Sequence, residues 1–250
     1  MYGSTATHNF SLGFYVQPEY DSTRANVLGY NSNGKLAIGY IGWDTDFGPI
    51  SLNVNGASTL GSYSTWDFSR LTATGEFSTS FKKVKFKERL IVGKIWANDN
   101  GVPGQEGYNI EGNSSNDLLR KNYLVDQFYG INDLFSQYHM PGEGNIRAFV
   151  GTGVPGAEAL FSSSTELSLF NSIPKTNIGL ELSSFFDGGV FFDSTSKKRI
   201  LGDVGLGIRF NTTLLEKNFY LRIDYPLFIY EDTASAFQFN KWIFSFQRSI

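Results

Sequence analysis

The stretch Leu201–Tyr230 reads LGDVGLGIRFNTTLLEKNFYLRIDYPLFIY, and its alternation decides the fold. From Leu201 to Phe210 the even positions carry Gly202, Val204, Leu206, Ile208 and Phe210, whereas the odd ones include Asp203, Gly205, Gly207 and Arg209. After a polar interval the rhythm returns. Phe219, Leu221, Ile223, Tyr225, Leu227 and Ile229 stand against Asn218, Tyr220, Arg222, Asp224 and Pro226. A period of two over such lengths predicts extended strands with unlike faces. The charges Asp203, Arg209, Arg222 and Asp224 fall on one face of neighbouring strands, and the opposite face is large, aromatic and continuous. This division suits an all-β, antiparallel transmembrane β-barrel, with lipid outside and a polar lumen inside.

The same rhythm extends over most of the 250 residues. Phe10, Leu12, Phe14 and Val16 oppose Ser11, Gly13, Tyr15 and Gln17 in a first strand. Leu36, Ile38 and Tyr40 mark the next. An Asp-Phe-Gly-Pro turn then leads to Ile50, Leu52 and Val54 set against Ser51, Asn53 and Asn55, which predicts a hairpin. Asp67–Phe81 places Leu71, Ala73, Phe77 and Phe81 opposite Arg70, Thr72, Thr74, Glu76 and Ser78. The basic run Lys82–Glu88 reads as a solvated turn in preference to a lumen-facing patch, and Glu88–Trp96 as a less clearly phased strand.

Residues 98–155 break the pattern. They are Gly- and Asn-rich, carry a short helical pattern at Asp117–Phe128, and predict a long loop, extracellular in a barrel and able to fold into its lumen. Regularity resumes over 158–250. Phe161, Thr165, Leu167 and Leu169 oppose Ser162, Ser164, Glu166 and Ser168, and Ile178, Leu180, Leu182 and Phe186 oppose Asn177, Gly179, Glu181, Ser183 and Asp187. In the closing strand Phe237–Ile250, the side chains of Trp242, Phe244, Phe246 and Ile250 share a face. The sum is about 10–12 strands in one domain covering 1–250, with a larger barrel as the alternative.

Composition narrows the function classes. Aromatics make up 16% of the chain while mean hydropathy is only -0.20, the combination expected when lipid-facing and lumen-facing residues alternate. No run approaches the roughly 18 apolar residues of a spanning helix. The chain has no cysteine, which excludes disulfides and thiolate metal sites, and the net charge of -3 argues against nucleic acid as a partner. The only histidines, His8 and His139, lie in no HExxH pattern, no GxSxG elbow or phosphate loop occurs, and Asn98–Gly101 is a turn without EF-hand spacing. No catalytic site, metal or cofactor is therefore expected. The start, MYGSTATHNFSLG, lacks the basic and apolar regions of a secretory signal, so the chain is read as a mature or trimmed segment.

Four blocks carry a resemblance: FFDGGVFFD at Phe185–Asp193, DVGLGIRF at Asp203–Phe210, LRIDYPL at Leu221–Leu227 and the closing WIFSFQRSI. In order and spacing they resemble the terminal strands of the bacterial surface antigen barrel, the outer-membrane assembly superfamily of BamA and TamA, over roughly Asn145–Ile250. The resemblance implies a bacterial outer-membrane location, lipid as a partner, and a part in inserting or translocating proteins, with client β-barrel proteins pairing at the seam of the closing strand. It also implies that a loop carrying an Arg-Gly-Phe or Arg-Gly-Tyr tip enters the lumen. The matching triplet here is Arg147-Ala148-Phe149, with alanine in place of glycine, and the residues on the inner face able to receive Arg147 are Glu166, Glu181 and Asp187.

Two other readings are compatible with the sequence. One is a barrel that anchors or exports a fused hydrolase domain, a metallopeptidase, patatin-like lipase or metallophosphoesterase, as barrels of this type do. The other is a soluble β-sandwich or lipocalin-like binding protein.

Overall fold

The computed structural model describes residues 6–17, 34–98, 101–103, 106–110, 143–149, 157–172, 178–214, 217–232, 234–237 and 242–248. The helical pattern at Asp117–Phe128, His139 and Ile250 lie outside these residues. Across the described residues the chain is all-β, a single antiparallel sheet whose strands neighbour one another in chain order. The strands are β1 (Thr7–Gln17), β2 (Leu36–Phe47), β3 (Ile50–Thr59), β4 (Phe68–Phe81), β5 (Val84–Ala97), β6 (Ala159–Ser172), β7 (Ile178–Phe192), β8 (Lys198–Leu214), β9 (Lys217–Glu231), β10 (Ala234–Phe237) and β11 (Ile243–Arg248).

Strand β8 occupies one edge of β9 from Leu214↔Lys217 to Leu201↔Glu231. The short strands β10 and β11 therefore lie in tandem on its other edge, opposite Phe228–Glu231 and Phe219–Asp224. The expected closing strand Phe237–Ile250 is described as β11, Ile243–Arg248, and its register on β9 differs by two residues from that of β10, Phe237 facing Phe228 but Ile243 facing Asp224. Strand β1 forms one edge of the sheet and the β10/β11 pair the other, and among the described residues no ladder joins them.

The sheet is curled around its own polar face. Leu36 and Ile38 of β2, Ile91 and Ile95 of β5, Leu160, Phe191, Leu201 and Ile229 gather in one cluster around Tyr108, Ile110, Ile146 and Phe149 of the long connection. Segments 106–110 and 143–149 are held together as a pair, with the Gly144 and Ile146 amides donating to the carbonyls of Asn109 and Ile110. The loop expected to fold inward does so in its described parts.

The convex face is apolar. Phe161, Leu167, Leu182, Phe186, Val204, Leu206, Leu221 and Ile223 are exposed, and no second sheet covers them among the described residues. Exposure is greatest on β1, where Leu12 is 85% exposed, because an edge strand has a neighbour on one side only. Charges on this face include Lys94, exposed between Val92 and Trp96, and Glu88, which accepts hydrogen bonds from the hydroxyls of Ser163 (2.7 Å) and Thr165 (2.5 Å).

Two local expectations are corrected. Ile229 points inward, into the buried cluster, instead of sharing the face of Leu221 and Ile223. The register steps from Gly205↔Pro226 to Val204↔Phe228, leaving Leu227 without a partner on β8. This bulge shifts the alternation by one residue, so Phe228 and Tyr230 take the outer face and Ile229 the inner. Pro226 has no amide to donate to a ladder, and it falls in the gap between the stretches of β9 that β10 and β11 cover. The basic run also divides. Lys82 and Lys83 make the exposed β4–β5 turn, but Lys85 and Lys87 belong to β5, half-buried on the inner face shared with Arg89, Ile91 and Ile95. A charge run was expected to be solvated, and here a two-residue turn leaves its second half inside the strand.

The β7–β8 turn is built on Asp193, whose carboxylate accepts from the Thr195 hydroxyl at 2.7 Å and from the amides of Thr195 and Lys197 at 2.9 and 3.0 Å. These donors, the hydroxyl foremost, hold its carboxyl below the usual carboxylate range.

The bulge makes a local prediction in a chain that has no native cysteine. Phe228→Cys and Tyr230→Cys should react with a bulky maleimide in the folded protein in detergent, and Ile229→Cys should not. Reaction of Ile229→Cys at the rate of its neighbours would place it outside and contradict the bulge.

Candidate functional site

A single turn at Arg147–Phe149 gathers the charges of four strands. Each nitrogen of the Arg147 guanidinium faces a different carboxylate: Nη2 lies 3.3 Å from Glu166 Oε2 on β6, Nε 3.0 Å from Asp187 Oδ2 on β7, and Nη1 3.5 Å from Asp224 Oδ2 on β9. The next residue reaches the remaining strand, the Ala148 amide donating to Asp203 Oδ2 of β8 at 2.5 Å. Below the guanidinium is the Phe185 ring, 4.2 Å from Cζ to ring centroid. Phe185 itself lies over Gly205, where an added Cβ would run into the ring and the Tyr225 carbonyl. A planar, always-charged fork is the side chain that can serve three carboxylates and stack on a ring at once.

The turn backbone explains why alanine serves at 148. Arg147–Phe149 is one turn of 3-10 helix, and the residue in the left-handed region is Asn145, at φ 58. Asparagine tolerates that conformation because its short side chain finds local hydrogen bonds. Here Asn145 Nδ2 donates to Ser164 Oγ at 2.8 Å, and Ser164 in turn donates to Asp187. Phe149 is buried in the central cluster.

The remaining inner charges complete the network. Arg222 donates through Nη1 to Glu166 at 2.6 Å and through Nε to both oxygens of Asp224 at 2.7 Å. Arg209 pairs with Glu181 at 3.3 Å and lies 5.1 Å over the Tyr220 ring. Of the three carboxylates expected to receive Arg147, Glu166 and Asp187 do so, and Glu181 does not. It is six residues from Asp187 on the same face, about 20 Å along a strand, beyond the span of one guanidinium. Asp224 takes its place. Asp187 is 0% exposed, Asp203 1% and Asp224 2%, so these charges are held away from water and depend on one another.

A second clamp, absent from the sequence reading, holds the other side of the loop. Arg70 of β4 pairs with Glu143, whose second oxygen accepts from the Asn109 amide at 2.5 Å, and Arg89 of β5 donates to the Glu143 carbonyl at 3.1 Å. Arg70 also covers the Tyr108 ring at 4.2 Å and donates to the Glu106 carbonyl. Tyr108 Oη donates to the Leu71 carbonyl at 2.7 Å, its ring seated against Gly93, where any side chain would collide with it. Strand β1 joins through Tyr15, whose hydroxyl donates to Glu106 at 2.7 Å. The signal that points to such a clamp is the pair Arg70 and Arg89, two inward arginines on adjacent strands for which Glu76 is the nearest strand acid.

The expected seam residues are placed unevenly. Trp242 precedes β11 and packs on Phe244, 5.8 Å between ring centroids, and Phe246 is the register partner of Leu221.

The chain matches no family model and no curated protein. The site's meaning therefore rests on its geometry. Its acids are engaged by guanidinium, amide or hydroxyl groups, which makes it a clamp that fixes an inserted loop against the wall.

Removing Arg147 leaves buried carboxylates without a counter-charge. Arg147→Met should lower unfolding stability in detergent by about 3–5 kcal/mol and open the loop to protease, with Arg147→Lys between it and the parent. In double-mutant cycles on urea unfolding, Arg147 should couple to Asp187 and Asp224 but not to Glu181. Equal coupling to Glu181 would contradict the geometry. By the same reasoning Gly93→Ala should displace Tyr108 and raise protease cleavage of the loop without the Arg147 pairs being touched.

Proposed function

We propose that the chain is an outer-membrane β-barrel of the surface antigen type that takes part in insertion or translocation of proteins at the bacterial outer membrane. The observation that carries this reading is the Arg147 turn, seated among Glu166, Asp187, Asp203 and Asp224. An arginine-tipped loop clamped to the inner wall is what the FFDGG and LRIDYPL resemblance implies, and the clamp sits within the strands that carry those blocks. The exposed apolar face supports lipid as the outer solvent, since water would leave it uncovered at a cost of roughly 25 cal/mol per Å².

The edges supply the mechanism. Among the described residues β1 and the β10/β11 pair are the two edges of the sheet, where a client strand adds by backbone hydrogen bonding. On the other edge of β9 the described pairing is short, four residues of β10 and six of β11, so exchange of a client strand there costs few ladder bonds.

The test is reconstitution in liposomes with an unfolded β-barrel client and a photo-crosslinking residue at Phe14, Trp242 or Leu182. Faster client folding, with adducts from the edge positions Phe14 and Trp242 and none from mid-sheet Leu182, is the expected result. No acceleration and no edge adduct would sink this reading and leave anchoring of a fused domain as the better one. Membrane residence has its own check: the protein should need detergent for extraction and migrate differently on a gel when unheated.

A further inference from the structure

Among the described residues strand β1 pairs with β2 and with no other strand. Toward Thr7 it has side-chain anchors: the His8 ring lies against Trp43 and Phe47, and its Nδ1 is 2.8 Å from the Thr45 hydroxyl. Toward Gln17 the outer side chains Leu12, Phe14 and Val16 are mostly exposed. A strand end with one ladder and few side-chain contacts opens at low free-energy cost.

The inner face supplies a hold at this end. Tyr15, the register partner of Ile38, packs against the central cluster and donates its hydroxyl to Glu106 Oε1 at 2.7 Å. Glu106 is buried and belongs to the loop. Its carbonyl accepts from Arg70 of β4, which also pairs with Glu143, and its near neighbour Tyr108 lies in the seat that Gly93 of β5 leaves open. The loop body is thus fixed by β4 and β5, and it holds β1 from across the interior. A hydrogen bond that ends on a carboxylate shut off from water contributes more than a neutral one in the open.

We propose that Tyr15 is a latch that ties the edge strand β1 to the seated loop, so that unseating the loop loosens β1 and the addition of a further strand at β1 is coupled to the loop's position. The client strand in this statement rests on the insertion reading above; the latch itself does not. Coupling of this kind is reciprocal, so whatever steadies β1 also steadies the loop.

Hydrogen exchange of the β1 amides, measured on the full chain in detergent, tests the latch. Tyr15→Phe keeps the ring and removes the hydroxyl, and it should speed exchange on β1 by about tenfold. Gly93→Ala and Arg70→Gln unseat the loop from β5 and β4 without altering a residue of β1. Each should speed β1 exchange to a similar degree while the β7–β8 ladder stays as in the parent. Adding Tyr15→Phe to either should change β1 no further, because the hydroxyl then has no seated partner to lose. Protection of β1 equal to the parent's in Tyr15→Phe, or in both loop variants, would overturn the latch, and so would additive effects in the combined variants. In liposomes Tyr15→Phe should lower client adducts from Phe14 and leave those from Trp242 unchanged; equal loss at both positions would overturn the coupling. Absence of adducts from the parent would overturn the insertion reading and leave the latch standing on the exchange result.

Discussion

The fold depends on one guanidinium. Arg147 stands where β6, β7 and β9 each direct a carboxylate inward, and the amide of the following residue takes the acid of β8. Without this turn the inner wall would hold Glu166, Asp187, Asp203 and Asp224 within a few ångströms of one another, with Arg222 the nearest cation. Buried like charges repel strongly in a poorly solvated space, and an inserted cation changes the sign of that interaction. The loop is therefore part of the wall's electrostatic structure. Its removal would alter the four strands as much as the loop.

The clamp on β4 and β5 gives the insertion a second footing. Glu143, four residues before Arg147, meets Arg70 and Arg89, and the partner segment at 106–110 meets Tyr15 of β1. One interior body thus touches both the first strand and the ninth. Among the described residues no ladder joins the two edges, and the curl of the sheet is held from within.

Much of this was legible in the sequence because side-chain alternation in a strand is a local property. The faces assigned to Phe10–Val16, Leu71–Phe81, Phe161–Leu169 and Leu206–Phe210 follow from the period of two alone. Inward placement of Asp203, Arg209, Arg222 and Asp224 followed for the same reason. What alternation does not contain is height along the strand and register between strands. Glu181 and Asp187 share a face, but only one lies level with Arg147, so the sequence could name the inner acids without choosing among them. The bulge at Leu227 is a similar case: one unpaired residue inverts every later assignment, and Ile229 moved inside. The Glu143 clamp was hidden because its acid comes from the irregular connection, where no period exists to be read.

The central claim is that hydrocarbon covers the convex face and the concave face holds the charges. Site-directed spin labelling across Val204–Phe210 in lipid bilayers tests it most directly, by comparing collision with oxygen, which concentrates in the acyl region, against a water-soluble nickel chelate. The account predicts oxygen maxima at Val204, Leu206 and Ile208 with minima for both quenchers at Gly205 and Gly207. Nickel access at Leu206 and Ile208 equal to that of the Thr195 turn would mean that water wets this face, and the account would fail.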